Sequence, residues 1–95
     1  MSTSTARVLE EIAQERTRQD DKFGDQSHKT LAQWSAILHE EVGEADREVC
    51  ELLHEDEWGN QGGGIARRKR LREELIQTAA VAVAFITHGD ANGWW

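Results

Sequence analysis

The 95-residue sequence contains no proline and no tyrosine, and it has a single cysteine and a single methionine. Proline is the strongest helix breaker, so its absence leaves long helices uninterrupted. The alternation of polar and apolar residues that is typical of β-strands is also missing, and good helix formers dominate the chain. The composition therefore predicts an all-α fold.

Sulfur and long apolar runs are equally scarce. The only cysteine, Cys50, cannot form an intramolecular disulfide and offers a single thiol, too few for a zinc site. We interpret it as a small packed residue in a protein of the reducing cytoplasm. The first five residues, Met-Ser-Thr-Ser-Thr, lack the apolar segment of a signal peptide. The longest apolar run, residues 79–86, is too short to cross a bilayer, so we expect a cytoplasmic protein with no membrane partner.

Basic residues are outnumbered, with 11 Lys and Arg against 18 Asp and Glu, for a net charge of −7. A chain of this charge is repelled by phosphate backbones, so we expect no nucleic-acid partner. A local basic cluster can still contact a phosphorylated small molecule. With 95 residues the chain forms one domain at most, residues 1–95, and buries only a modest share of its surface by itself.

Three helices are predicted, at residues 3–20, 31–56 and 65–88. The first is very polar, so it is either a solvated outer helix or the lining of a wet cavity. The second begins with a capping box, in which Thr30 and Gln33 satisfy each other's backbone N–H groups.

Glycine separates the last two helices and marks the end of the third. Residues 58–64 include three consecutive glycines, which predicts a flexible connection. Gly89 is typical of a helix end, so residues 89–95 are predicted to form a tail. The terminal Trp94 and Trp95 either dock on an apolar groove or are disordered.

The third helix is apolar nearly all round between Leu71 and Ile86. Such a helix is buried on every side, which a chain this short can achieve only with a second subunit. We therefore expect a homodimer or homotetramer, in which three helices per chain form a four-helix-bundle core completed by dimerisation. The small residues that would permit close helix approach are Ala79, Ala80, Ala82 and Ala84.

Charge interrupts the apolar stripe of the second helix. Positions three and four residues apart mark one helix face, and two carboxylates, Glu41 and Glu48, fall on that face. Glu44 lies at its edge, one turn from both. A carboxylate that faces a helix bundle is costly unless something pairs with it. The other members of the stripe are Leu31, Trp34, Leu38, Ala45 and Leu52.

The third helix carries a matching pair of oxygen-bearing side chains, Glu74 and Gln77, three residues apart. If the two helices pack antiparallel, this pair converges with Glu41 and Glu44. Several converging oxygens favour Mg²⁺ or Mn²⁺, and such a cation binds phosphates and activates water. The alternative is a polar bundle face of Glu–Arg pairs. The arginines available for it are Arg47, Arg70 and Arg72.

Two further features allow both a structural and a ligand-binding interpretation. Phe23, in the polar loop of residues 21–30, is either a lid over the core or a platform that stacks on a ligand ring. The start of the third helix is basic, and its cations either pair with nearby acidic residues or face a phosphate, with Arg70 as the candidate contact. The cations are Arg67, Arg68, Lys69, Arg70 and Arg72, and the acidic residues are Glu51, Glu55 and Glu57.

The segment Glu40-Glu41-Val42-Gly43-Glu44, followed later by Glu73-Glu74-Leu75-Ile76-Gln77, resembles the two-part motif of the MazG-like all-α nucleoside triphosphate pyrophosphohydrolases. The family pattern is E-E-x-x-E, a spacer, and then E-x-x-D. Residues 11–24 are also similar to the first helix and turn of small, often phage-encoded, members. The resemblance extends over residues 8–88.

This resemblance implies an enzyme that uses Mg²⁺ to cleave a nucleoside triphosphate between its α and β phosphates, and that acts as a dimer or tetramer. Glu41 and Glu44 match the first pair of metal ligands. Glu74 matches the first position of the second pair, and Glu40 matches an additional acidic residue that orients water. The implied nucleotide pocket lies against the first helix and the following loop. The residues that this places near the base or the phosphates are Gln19, Lys22, Phe23 and Trp34.

The chain departs from the family pattern at two points. The family aspartate is Gln77 here, whose amide oxygen is an uncharged and weaker metal ligand; Glu48, on the same face, is a candidate to compensate. The spacer, with its three glycines, is longer than usual. One alternative is therefore a hydrolysis-impaired protein that binds and sequesters a nucleotide. Another, from the acidic surface and aromatic tail, is a helical interaction module with no small ligand.

Overall fold

A computed structural model describes residues 3–57 and 64–95, and these residues form three α-helices with no strand. The helices are α1 (Thr3–Phe23), α2 (Leu31–Glu57) and α3 (Gly64–Asn92). The all-α prediction is confirmed, and each helix extends beyond its predicted end. The predicted glycine-rich connection lies outside the described residues, except for Gly64, the first residue of α3.

The ends of α1 and α2 are fixed by local hydrogen bonds. Gly24 adopts a left-handed φ of 68°, and its N–H donates to the carbonyl of Asp20 at 2.9 Å, which closes the last turn of α1. The predicted capping box of α2 is confirmed. The N–H of Gln33 donates to Thr30 Oγ1 at 3.1 Å, and the N–H of Thr30 donates to Gln33 Oε1 at 2.8 Å.

The end of α3 differs from the prediction, because the helix passes through Gly89 and stops at Asn92. Gly93 supplies the left-handed residue, with a φ of 67°, and the N–H of Trp94 donates to the carbonyl of Gly89 at 3.0 Å. Gly89 has a different use. The ring of Trp95 lies over it so closely that a Cβ there would be 2.0 Å from a ring carbon. The tail therefore docks on its own helix, held also by a hydrogen bond from Trp95 Nε1 to Asp90 at 2.9 Å.

Replacing Gly89 by alanine tests this close approach. Alanine favours a helix by about 1 kcal/mol over glycine. In Gly89→Ala the added Cβ also displaces the Trp95 ring, which offsets that gain. We therefore expect the unfolding free energy of the variant to differ from that of the parent protein by less than about 1 kcal/mol. The indole N–H resonance of Trp95 should move towards that of free indole as its bond to Asp90 is lost. Gly43→Ala in α2 is the matched control, because nothing lies within 4 Å of its added Cβ, and it should stabilise the protein by about 1 kcal/mol.

Helix α3 is the central element of the fold. Helix α2 packs antiparallel to it, while α1 packs along it in the same direction; among the described residues α1 packs on α3 and not on α2. The core lies between α2 and the second half of α3, where Trp34, Val81 and Ala84 are buried. Ala80 and Ala84 are completely buried, which lets the neighbouring helix approach closely. Partly buried side chains surround the core: Ile37, Leu38, Phe85 and Trp94.

The basic start of α3 is paired with carboxylates of both other helices. Arg67 donates to Glu48 at 3.3 Å and also to Glu51. Arg72 reaches across to α1 and forms a two-pronged pair with Glu11, with one bond of 2.9 Å. These pairs follow the structural interpretation of the basic cluster and tie α1 and α2 to the same end of α3.

The chain leaves part of its apolar surface uncovered. Leu75, Val83 and Ile86 on α3 are exposed in the single chain, on a helix whose far side the sequence predicted a second subunit to cover. Cys50, which was expected to be packed, is also exposed. Within residues 3–57 and 64–95, no helix is both long and apolar enough to cross a membrane. The exposed apolar residues of α2 are Leu31, Val42, Val49 and Leu53.

Candidate functional site

Three carboxylates from two helices meet at the middle of the α2–α3 contact. Glu41 and Glu44 are three residues apart, so they project from one side of α2. The antiparallel packing of α3 sets Glu74 opposite them. One oxygen from each of the three side chains lies within 4.8 Å of the other two. We call Glu41, Glu44 and Glu74 the carboxylate cluster.

Glu41 Oε2 and Glu74 Oε2, two oxygens of the carboxylate cluster, are shielded from water and have no hydrogen-bond partner among residues 3–57 and 64–95. Burial, followed by repulsion from Glu44 and Glu40, raises the pKa of Glu41 above its usual value. Burial raises the pKa of Glu74 to about 7, and its hydrogen bond with Glu44 and the surrounding negative charge act in the same direction. The cluster therefore favours either a proton or a cation between its oxygens.

The raised pKa of Glu74 predicts how stability depends on pH. The folded protein retains a proton that the unfolded chain releases between about pH 4.5 and 7, so stability falls as the pH rises through this interval. Glu74 is only half-buried and solvent screens its charge, so we expect a loss of about 1 kcal/mol. Urea unfolding at pH 5 and at pH 8, both with a chelator present, measures this loss of stability. In Glu74→Gln this part of the pH dependence should disappear; an unchanged profile would contradict the assignment.

The remaining candidates of the metal motif occupy different positions. Gln77 follows Glu74 by one turn and borders the same cavity as Glu40 and Glu41. Glu40 is exposed at that border. Glu48, the candidate to compensate for the missing carboxylate, is instead engaged by Arg67 at 3.3 Å and Arg70 at 3.7 Å. The structure thus keeps Glu48 with the cations of α3.

A cavity of about 370 Å³ opens beside Glu41 of the carboxylate cluster, lined by all three helices and the loop between α1 and α2. Four of the five residues predicted to contact a nucleotide line it. The fifth, Arg70, lies with Glu48 at the start of α3 and does not line it. The four that line the cavity are Gln19, Lys22, Phe23 and Trp34.

Sequence reasoning missed most of the positive charge of this cavity. Arg16 and Arg18 on α1 and Lys29 in the loop also line it. The helical spacing from Arg18 and Gln19 to Lys22 was a usable signal, because residues three and four apart share a face. Glu40 and Glu41 line the cavity from α2, and Arg16 and Arg18 are paired with Asp20 and Glu15 of their own helix. The cavity therefore combines cations from α1 and the loop with carboxylates from α2.

Hydrogen bonds along α1 hold the polar wall of the cavity in place. Arg18 binds Glu15 with two bonds of 2.8 and 2.7 Å, and this pairing lowers the pKa of Glu15. Gln19 is buried; its oxygen accepts from Arg16 at 3.0 Å and its amide donates to Glu15 at 3.2 Å. Gln19 is therefore largely satisfied by its own helix and acts as a link within the wall.

The two aromatic candidates differ in environment. Phe23 is 59% exposed, so it is not a lid over the core; it borders the cavity, with Lys22 Nζ 5.2 Å from its ring centre. Trp34 is only 2% exposed. Its ring packs against His88 with centroids 4.7 Å apart and against Phe85 at 6.4 Å. Phe23 is placed to contact a ligand from the solvent side, and Trp34 from the interior.

A second, more open cavity of about 400 Å³ lies between α1 and α3. Arg18 and Gln77 border both cavities. These two side chains therefore form the partition between them. Comparison with known protein families, with curated proteins and with solved structures gives no match for this chain.

Proposed function

We propose that this protein is a Mg²⁺-dependent nucleotide pyrophosphohydrolase, which cleaves a nucleoside or deoxynucleoside triphosphate or a related nucleotide to the monophosphate and pyrophosphate. The observation that supports this most is the adjacency of two features. The carboxylate cluster has oxygens within 4.8 Å of one another, and the cavity at its edge is lined by cations and aromatic rings. Triphosphate hydrolysis needs both an acidic metal site and a cationic phosphate site.

The residues of the cluster fit a hard divalent cation. Mg²⁺ prefers carboxylate oxygens as ligands. One oxygen from each of the three side chains lies within 4.8 Å of the other two, so the three side chains would hold one such ion after small movements. Glu41 Oε2 and Glu74 Oε2 have no hydrogen-bond partner in the part of the chain that the structure describes, and a cation would supply one. Gln77 can add an amide oxygen, and Mn²⁺ suits the same ligands.

Each part of the site has a distinct role in this proposal. The metal would lower the pKa of water and neutralise phosphate charge. Glu41, Glu44 and Glu74 hold it, with Gln77 beside them. Glu40, exposed at the cavity border, accepts a proton from the attacking water. Arg16, Arg18, Lys22 and Lys29 bind the phosphates and stabilise the charge that develops as pyrophosphate leaves.

Release of pyrophosphate from a panel of ribo- and deoxyribonucleoside triphosphates, with Mg²⁺ or Mn²⁺, tests this function. We expect turnover that a chelator stops, with the monophosphate as the second product. Orthophosphate as the first product would place the cleavage at the wrong bond. No turnover with any member of the panel would leave the enzyme proposal without support.

Gln77 favours a second candidate, a protein that binds a nucleotide and sequesters it. An amide in place of the fourth carboxylate weakens metal binding while the cavity and its cations stay intact. Calorimetry that detects tight nucleotide binding without turnover would favour this candidate. If neither metal nor nucleotide binds, the exposed acidic and apolar surface instead favours a helical interaction module.

We also propose that two copies complete a four-helix bundle, as a homodimer or within a homotetramer. The side chains that such an assembly would cover are Leu75, Val83 and Ile86 on α3 and the exposed apolar residues of α2. Light scattering at micromolar concentration should give at least a dimer. Ile86→Glu should yield a folded monomer, whereas Leu9→Glu, at an equally exposed position on α1, should not. A monomeric wild-type protein would contradict this assembly.

A further inference from the structure

A chain of hydrogen bonds along α1 joins two arginines that line the 370 Å³ cavity. Gln19 is its buried member, and its oxygen accepts from Arg16 while its amide donates to Glu15. Glu15 also accepts two bonds from Arg18, at 2.8 Å from Nε and at 2.7 Å from Nη2. The side chains of Arg16 and Glu15 are only 16% and 12% exposed, so most of this chain of bonds is shielded from water.

The pairing of Arg18 with Glu15 provides orientation more than stability. The Arg18 side chain is 54% exposed, and an ion pair in contact with water adds little to the free energy of unfolding. Two parallel bonds from one guanidinium to one carboxylate fix the direction of the guanidinium. An arginine has five N–H donors. Glu15 accepts from two of them, so three remain for a ligand.

Arg18 lies where the cavity meets the carboxylate cluster. It lines the cavity together with Glu41 and Gln77, and it borders the second cavity together with Gln77 as well. Burial raises the pKa of Glu41, and the charge of Arg18 acts in the opposite direction. The guanidinium is therefore within electrostatic reach of the cluster.

A carboxylate is an unfavourable neighbour for a phosphate-binding arginine, which makes the role of Glu15 testable by sign. If Glu15 contributed only its charge, it would repel an anionic ligand and weaken binding. If it contributes the fixed direction of Arg18, it strengthens binding, because the ligand meets a long side chain that is already ordered.

We infer that Glu15 is a positioning residue, which holds Arg18 in the direction of the phosphate group next to the carboxylate cluster. The inference rests on the proposed function, because it requires a bound triphosphate. Gln19 reinforces the arrangement by donating to the same oxygen of Glu15 that accepts from Arg18 Nη2. Glu15 can turn away from Arg18 only by leaving the buried amide of Gln19 without this acceptor.

The substitution Glu15→Gln tests the inference, because it removes the charge and the two-pronged pair at nearly constant size. By calorimetry, with Mg²⁺ and separately with a chelator, it should weaken the binding of α,β-imido nucleoside triphosphates and of inorganic tripolyphosphate about tenfold. Unchanged or tighter binding would overturn the inference. Glu10→Gln is the matched control and should not weaken binding, because it removes the same charge from an exposed position of α1 that lines neither cavity.

A second substitution separates positioning from a general effect on the fold. Arg18→Lys keeps a positive charge at the cavity but cannot form a two-pronged pair with a carboxylate. In the Arg18→Lys protein, the further change Glu15→Gln should no longer weaken binding. A tenfold loss that persists in this background would mean that Glu15 does not act through Arg18, which contradicts the inference.

The unsubstituted protein offers a measurement that does not depend on how the variants fold. In ¹⁵N-arginine-labelled protein, the Nε–H of Arg18 donates to Glu15, so it should exchange with water more slowly than that of free arginine, with and without a bound imido nucleotide. Faster exchange on binding would show that the ligand draws Arg18 away from Glu15, against the inference. Nucleotide binding without turnover would overturn the hydrolase alone, and failure to bind either nucleotide or tripolyphosphate would overturn both.

Discussion

The proposed pyrophosphohydrolase activity predicts that Glu41→Gln reduces pyrophosphate release by on the order of 100-fold or more, while the metal-free protein becomes more stable. The activity falls because a charged ligand is lost from the carboxylate cluster, and a bound metal supplies several kcal/mol of charge stabilisation in such reactions. Stability rises because Glu41 carries a buried, unpartnered oxygen beside Glu44 and Glu74. Removing the carboxylate of Glu41 relieves its burial and its repulsion with the neighbouring carboxylates, together worth about 1 kcal/mol.

Because Glu41→Gln should lower activity and raise stability, a loss of activity in this variant is distinguished from unfolding. Kinetics with Mg²⁺ and urea unfolding with a chelator measure them on the same preparation. Asp46→Asn is the matched control, because Asp46 is exposed on the same helix and the charge change is identical; it should keep its activity. If Glu41→Gln together with Glu44→Gln stabilised a protein that never bound metal or nucleotide, the cluster would be only a strained part of the helix contact.

The proposed metal site and activity predict that Gln77→Asp tightens Mg²⁺ binding by about tenfold and raises the rate of hydrolysis. Gln77 follows Glu74 by one turn and borders the cavity with Glu41, so an aspartate there adds a fourth negative ligand to the same site. Hard cations bind more tightly as the number of charged ligands rises. The metal-free variant should be less stable than the parent, because a further carboxylate joins a group that already repels itself.

Gln77→Asn is the control for this gain, since it has the size of aspartate without its charge. Calorimetric titration with Mg²⁺ at pH 8, where the carboxylates are ionised, compares the three proteins directly. A gain shared by both variants would point to side-chain length instead of charge. A loss of affinity in Gln77→Asp would remove Gln77 from the metal site.

Local patterns predicted the parts of the fold that depend on few residues. The capping box of Thr30 and Gln33 is a short-range exchange of hydrogen bonds, so it was readable from spacing alone. Gly89 was misread because a glycine can end a helix or admit a close neighbour, and only the position of Trp95 decides between the two. The position of Trp95 depends on the left-handed turn at Gly93. The sequence favours such a turn equally at Gly89 and at Gly93, so it does not decide between them.

The residues of the candidate site also fall into those that local patterns predict and those that they do not. Glu41, Glu44 and Glu74 were named from helical spacing and antiparallel packing, which are regular and therefore predictable. Arg70 lies outside the cavity and near Glu48, and a run of neighbouring cations does not reveal which of them points at a carboxylate. The positive wall from Arg16 and Arg18 was missed because a polar helix looks the same whether its charges face water or a cavity.

Helix α1 docks on α3 alone among the described residues, with the pair between Glu11 and Arg72 as one tie. In native-state hydrogen exchange, α1 should behave as a separate cooperative unit that opens while α2 and α3 remain folded. Each opening would remove Arg16, Arg18 and Lys22 from the cavity and leave the carboxylate cluster intact. Metal binding would then protect the amides of α2 and α3, and only a ligand that also bridges to the cations would slow exchange throughout α1.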